Sequence, residues 1–337
     1  MKLTLNDIKA ITLGTVKITE NDGAFSFYRL TDAQLDYYER TTERYFIRGQ
    51  QTASVLMDFT TDAENISFHY TVSGSAGKPF YFFDIYEDDM LIYHKGADTP
   101  DEDEGDVSVS FRRGMKRVRV YLPFSRKTVL SDVTLTDGAA MIVAERKLNA
   151  LILGDSITQG SDGRYTSLSY ANRMIERYKL NYINQGVGGE KFHADALGDR
   201  KITEPDFITL AMGVNDWATN PFDEIERDAE SYFAKLTSLY PSVPIIYISP
   251  IWINREGNDT TFLATVEMLE SIATSYGAHV IHGLDLVPHE TEMLSDGVHP
   301  NDFGFSQYSE RLFGKIDGLV ELFKKNKEEK ENGLTVL

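Results

Sequence analysis

Polar and apolar residues alternate with a period of two through much of the first part of the chain. Val107, Val109 and Phe111 stand against Ser108 and Ser110, as in a strand with one covered face. Alternation and aromatic enrichment predict strands over 54–59, 66–72, 80–86, 90–94, 107–111, 118–122 and 129–135. Phe80-Tyr81-Phe82-Phe83 is apolar on both faces and reads as a central or covered strand, and 84–93 reads as a hairpin turning at 87–89. Short strands at this spacing predict an all-β, jelly-roll-like sandwich over 1–145.

Near Arg146 the period changes. Apolar runs at 150–153, 182–187, 207–212, 245–249 and 279–282 now alternate with helical spacings. Leu168, Ala171, Met174, Ile175 and Tyr178 form one such helical series, and Phe222, Ile225, Ala229, Phe233, Leu236 and Leu239 another. Helical spacing resumes over 303–322, and the charged stretch 324–332 is expected to fray. Alternating strands and helices predict a parallel sheet covered on both faces, a three-layer α/β/α domain over 146–325 with a charged tail at 326–337.

Composition narrows the function. The 337 residues carry a net charge of -18, a surface that repels phosphate backbones and anionic headgroups, so neither nucleic acid nor membrane is an expected partner. With no cysteine, disulfides, thiolate catalysis and cysteine-held metals are excluded. The N-terminus lacks an apolar core of signal-peptide length, and nothing reads as a membrane span, so a cytoplasmic protein is expected. The acidic run 101–106 gathers carboxylates as a calcium loop does, but without EF-hand spacing, and it reads as a solvated loop.

Candidate chemistry sits where loops should leave the parallel sheet. The run Ala150–Leu153 is broken by Gly154 and followed by Asp155, Ser156 and Thr158. Ser156 then stands beyond a strand end, where open α/β sheets bind ligands; the plain alternative is a helix-capping serine. Asn184–Gly189 follows the second strand, Gly213-Val214-Asn215-Asp216-Trp217 the third, and Asp296-Gly297-Val298-His299-Pro300 comes late. Together they supply acyl transfer: Ser156 as nucleophile, His299 as base, and Asp296 three residues earlier to fix the imidazole. The N–H groups of Ser156 and Gly189 and the Asn215 amide are candidate donors to an oxyanion.

These blocks resemble the SGNH (GDSL) hydrolase family over roughly 146–325. GDSIT at 154–158 is similar to its first block and GVND at 213–216 to its third, while DGVH at 296–299 is similar to its last. The second block departs, because Gly188 and Gly189 are both candidates for its glycine. The resemblance implies a flavodoxin-like SGNH fold, a Ser156–His299–Asp296 triad, and an oxyanion hole at Ser156, Gly189 and Asn215. The first half is similar to the β-sandwich preceding the catalytic domain in some SGNH carbohydrate esterases. The implied activity is hydrolysis of short acyl esters, acetyl above all, on a small-molecule or oligosaccharide substrate, with no metal or organic cofactor; a homo-oligomer is compatible. The rivals are a long-chain lysophospholipase or thioesterase and an inert carbohydrate-binding protein.

G-x-S-x-G, Walker A, H-E-x-x-H and a complete dinucleotide fingerprint are all absent from the sequence. His69, His94, His279 and His282 read as packing residues. His193, Trp217 and Trp252 are candidates to line the pocket, and Phe192 and Trp217 are bulky enough to wall a small acyl site.

Overall fold

The computed structural model describes residues 1–99, 103–254 and 260–332. The chain forms two compact units. One holds Met1–Glu145 with Arg164–Ser167, the other Arg146–Gly163 with Leu168–Leu337.

Two antiparallel sheets make the first unit. One runs in the order Thr12–Leu13, Leu56–Thr61, Lys116–Tyr121, Tyr81–Glu87, Met90–Ala97, with Ile142–Val143 paired to Leu56–Thr61. The other runs Lys17–Asn21, Ala24–Tyr28, Lys127–Leu135, Asn65–Ser73, Asp103–Ser110. Burial alternates residue by residue along Asn65–Ser73, and inner-face residues of both sheets, among them Phe25, Phe68, Phe59, Ile85 and Val118, share one core. The strands read from the alternation are present.

Three helices were not read from it: Leu5–Ile11, Asp32–Thr41 and Glu43–Gly49. The first two carry capping pairs as local signals, and the third a single cap, Thr42 accepting the Tyr45 N–H. The Thr4 side chain bonds the Asp7 N–H while Asp7 reaches back to Thr4, and Thr31 and Gln34 do the same. In the acidic run, Asp101 and Glu102 lie outside the described residues. Asp103 to Asp106 already belong to a strand, where Asp103 accepts from Tyr81 Oη and Asp106 pairs with His69.

A five-stranded parallel sheet organises the second unit, in the order Leu180–Gly186, Leu148–Gly154, Phe207–Ala211, Ile245–Ile248, His279–Ile281. That is the flavodoxin-like order 2-1-3-4-5, whose topological switch lies between the first and third strands. Leu148–Gly154 is flanked on both edges and buried along nearly its whole length, so it reads as an unbroken apolar run. Helices Tyr170–Tyr178, Phe222–Leu239, Thr260–Ser275 and Asp302–Glu331 accompany the sheet.

Three helical stretches differ from the sequence reading, the shortest being Val214–Thr219, read as a loop. Thr260–Ser275 was not predicted, although Phe262, Thr265, Val266, Leu269, Ile272 and Ala273 bury at helical spacing. Its β-branched threonines, valine and isoleucine hide a helix from a propensity-minded reading. The charged stretch beyond Lys324 does not fray but continues the last helix to Glu331. Lys327 secures it, donating to Asp206 at 2.9 Å and to the Lys147 carbonyl at 2.6 Å. None of the described helices is long and apolar enough to cross a membrane.

At the carboxyl end of the central strand the chain must turn within a crowded space. A Cβ on Gly154 would lie 2.0 Å from Thr158 Oγ1 and 2.7 Å from the Ala211 carbonyl oxygen. Only glycine lets the strand pass this close to the helix that follows.

Candidate functional site

Asp155 caps the four-residue helix Ser156–Gln159, its Oδ1 accepting the Ile157 N–H at 2.9 Å, and Gly160 ends the helix at φ 97°. Ser156 thereby stands at the end of the central strand, 8% exposed, held firmly yet open to a ligand. Its Oγ lies 2.8 Å from His299 Nε2. On the far side of the ring, Nδ1 lies 2.8 Å from Asp296 Oδ2 and 3.3 Å from Asp162 Oδ2.

The Asp296–His299 turn is folded around its own carboxylate. Asp296 Oδ1 accepts the backbone N–H groups of Val298 at 3.1 Å and His299 at 2.9 Å. Partial burial pushes the Asp296 carboxyl up, but the hydrogen bonds from the His299 ring and backbone, with the charge of His299 and the Val298 N–H, outweigh it. The carboxyl is held well below the usual range and stays ionised. An ionised acceptor on Nδ1 keeps the proton there, leaving the Nε2 lone pair to face the serine hydroxyl. Asp162, Asp296 and His299 also bring three potential ligand atoms within 4.8 Å of one another. A cation there would take the Nδ1 position that this tautomer needs for its proton.

Asn215 lies in the first turn of the helix Val214–Thr219. Its Nδ2 donates to the Glu190 carbonyl at 3.0 Å and lies 3.4 Å from Asp155 Oδ2, beside the serine. Gly189 turns at φ 87°, a left-handed conformation that suits glycine. Gly188, next to it, donates its N–H to Gln159 Oε1 at 2.7 Å. The loop after Gly189 is tied to the Asn215 helix: the Phe192 N–H donates to Asp216 Oδ1 at 3.0 Å, and Lys191 Nζ to Asn220 Oδ1 at 2.8 Å.

Two buried carboxyls border these loops. Burial pushes Asp155 up to about 6, against the opposing Ile157 N–H and the His299 charge. Burial pushes Asp216 up to about 7, against the Phe192 N–H. In the window between the ordinary carboxylate range and these values, the folded protein holds protons that the unfolded chain releases. Stability therefore falls as pH rises through the window. Asp216→Asn keeps an acceptor for Phe192 and removes one such group. Its unfolding free energy is expected to lose about 2 kcal/mol less than the wild type between about pH 5 and about pH 8. Denaturant midpoints at both pH values measure this; an unchanged difference would show that Asp216 does not titrate in the window.

The pocket candidates fare unevenly. His193 Nδ1 pairs with Glu190 Oε1 at 2.7 Å, and that hydrogen bond raises the imidazole pKa against its burial. Trp217 Nε1 donates to Thr261 Oγ1, and the ring meets Phe262 edge-on at 4.9 Å within an apolar cluster that includes Val298. It supports the residue next to His299. Trp252 stacks on His289 at 5.2 Å. Phe192 does not wall a pocket: it is 2% exposed and packs on Tyr232 and Phe233.

Sequence reasoning singled out no role for Asp162, Glu190 or Asp216. Of the three, Asp216 carried a signal, its place next to Asn215. A cavity of about 20 Å³, room for about one water, lies behind the serine, lined by Asp155, Ile157, Met212, Ser249 and Tyr308 among others.

A five-stranded parallel sheet of order 2-1-3-4-5 holds a serine hydroxyl and an imidazole in contact at its switch point, an arrangement suited to acyl chemistry. Residues 152–306, within the second unit, match the GDSL-like lipase/acylhydrolase family. Among proteins with curated descriptions, none matches the chain in sequence. Solved structures match across both units. The salicylyl-acyltransferase SsfX3 from a tetracycline biosynthetic pathway is 19% identical, with 91% of this chain and 94% of that one covered and a TM-score of 0.73. A putative GDSL-like lipase from Bacteroides ovatus is 16% identical, with 94% and 97% covered and a TM-score of 0.71. A family two carbohydrate esterase from Clostridium thermocellum, in complex with cellohexaose, is 12% identical, with 80% and 94% covered and a TM-score of 0.60. At these identities the likeness is one of fold.

Proposed function

We propose that the protein is a serine esterase that removes short acyl groups, acetyl in particular, from carbohydrate esters. The observation that carries this reading is the 2.8 Å approach of Ser156 Oγ to His299 Nε2, with Nδ1 held by Asp296. His299 takes the hydroxyl proton as Ser156 Oγ attacks the ester carbonyl. The N–H groups of Ser156 and Gly189 and the Asn215 amide receive the developing oxyanion. His299 then protonates the leaving alcohol. Water, deprotonated in turn by His299, attacks the acyl-enzyme and releases the acid and Ser156.

The acyl preference rests on what borders the site. Asp155, Asp162, Glu190, Lys191 and Asp216 are polar, Phe192 is buried in packing, and Trp217 is left only half-buried, against Phe262. A long chain finds little apolar wall there, and each methylene left in water forgoes about 0.8 kcal/mol. Carbohydrate as the alcohol portion draws on the likeness to an esterase solved with cellohexaose. Acetyl esters are expected to exceed octanoyl esters in kcat/KM, and an acetylated oligosaccharide to release acetate. A rate climbing steadily through octanoate, without deacetylation of the oligosaccharide, would move the assignment to lipid or thioester substrates. An alcohol acceptor added to the assay separates hydrolysis from acyl transfer, the reaction named for the SsfX3 neighbour.

A further inference from the structure

Asp162 lies outside the four family blocks and beside the base. It follows the helix Ser156–Gln159 on a turn closed by the Ser161 N–H to the Ser156 carbonyl at 2.9 Å. Its own φ is 72°, a left-handed conformation uncommon for any residue but glycine and tolerated best by Asn and Asp. That backbone brings its Oδ2 to 3.3 Å from His299 Nδ1. One imidazole N–H therefore faces two carboxylates. The two differ in environment: the Asp162 side chain is 12% exposed and that of Asp296 46%. The nearer acceptor is the wetter one, and the more sheltered carboxylate acts through a less screened field.

We propose that Asp162 is a positioning residue for His299, a second acceptor that keeps the proton on Nδ1 and stabilises the imidazolium formed in each transfer. The inference rests on the serine esterase reading of the same site. Its consequence is redundancy. In a triad with one acid, exchanging that acid for its amide costs about 10⁴-fold in kcat, because the amide favours the wrong tautomer. Here Asp162 Oδ2, 3.3 Å from Nδ1, takes over as acceptor when Asp296 becomes an amide. Asp296→Asn also retains Oδ1 for the Val298 and His299 N–H groups, so the turn persists.

The test uses Asp162→Asn, Asp296→Asn and the double variant in the full chain, with His299→Ala as reference and an activated acetyl ester as substrate. Asp296→Asn is expected to lose about 10- to 100-fold in kcat with KM little changed, and the double variant to fall at least about tenfold further. Asp162→Asn alone should lose under about tenfold. Its acid limb of kcat/KM should move to lower pH, since a negative charge beside the imidazolium is gone. Around the ring, Asp296 and the buried Asp155 are unchanged in that variant, so the displacement reports Asp162. Asp162→Gly, which relieves the left-handed backbone, must give the same displacement; this separates the carboxylate from any strain on folding.

A double variant equal to Asp296→Asn, with wild-type pH profiles for both Asp162 variants, overturns the inference. It does so while leaving the serine esterase reading intact, provided His299→Ala is inactive. If His299→Ala keeps its activity, the reading of the site itself fails.

Discussion

Replacing Ser156 with alanine is expected to lower kcat by at least about 10³-fold, because a triad that loses one member retains only oxyanion binding and positioning. His299→Ala should cost nearly as much. Ser156 Oγ and His299 Nε2 are 2.8 Å apart, so the hydroxyl has a base within reach. A serine without that base is a weak nucleophile, and an imidazole without that serine has no proton to take. The double variant should therefore be little worse than either single one, with losses far from additive. A fluorophosphonate should label the wild type at Ser156 and label His299→Ala much more slowly. Independent, multiplying losses would show that the two groups do not act together, and failure of the label to attach would favour an inert domain.

Much of this arrangement is local in sequence, which is why it could be read there. The central strand is buried between two neighbours, so it announces itself as an apolar run, and Ser156 stands directly past its end. Asp296 and His299 meet across a three-residue turn, a contact that spacing alone suggests. Asn215 and Gly189 each follow a strand of the same sheet, and the strand order brings their loops together at one end.

What escaped reading depends on direction and on distance along the chain. Asp162 reaches His299 only because a left-handed turn aims it there, and one polar residue in a polar loop carries no sign of that. Glu190 contributes its carbonyl to Asn215, a backbone contact invisible to side-chain patterns. Phe192 lies in a loop and Trp217 on the short helix that follows the third strand, where apolar side chains suggest a ligand wall. In fact Phe192 packs inward on Tyr232, and Trp217, half-buried, leans on Phe262. In the first unit, period-two alternation drew attention away from short helices whose evidence was two capping pairs rather than an apolar stripe. The last helix outran its apolar spacing because Lys327 found Asp206 and a carbonyl.

The second large effect is expected at Asn215. Asn215→Ala should lower kcat by about 10²- to 10³-fold while KM changes little, the signature of a donor used chiefly in the transition state. In the free protein the Asn215 Nδ2 group is held by the Glu190 carbonyl at 3.0 Å and lies near Asp155 Oδ2 at 3.4 Å. The shorter contact, to the Glu190 carbonyl, fixes the amide before substrate arrives, and the N–H on the long 3.4 Å contact to Asp155 is the one to pass to the carbonyl oxygen as negative charge forms. Preorganised donors of this kind gain most as charge develops, and a neutral ester in the ground state profits little. Because Asn215 also links the Glu190 loop to its own helix, part of any loss could come from a displaced loop. Asn215→Asp keeps the shape and removes the donor, and it places a negative charge where the oxyanion would form. It should therefore be at least as damaging as alanine. Comparable kcat for Asn215→Asp and wild type, or a raised KM at constant kcat in Asn215→Ala, would make Asn215 a ground-state contact and remove it from the oxyanion site.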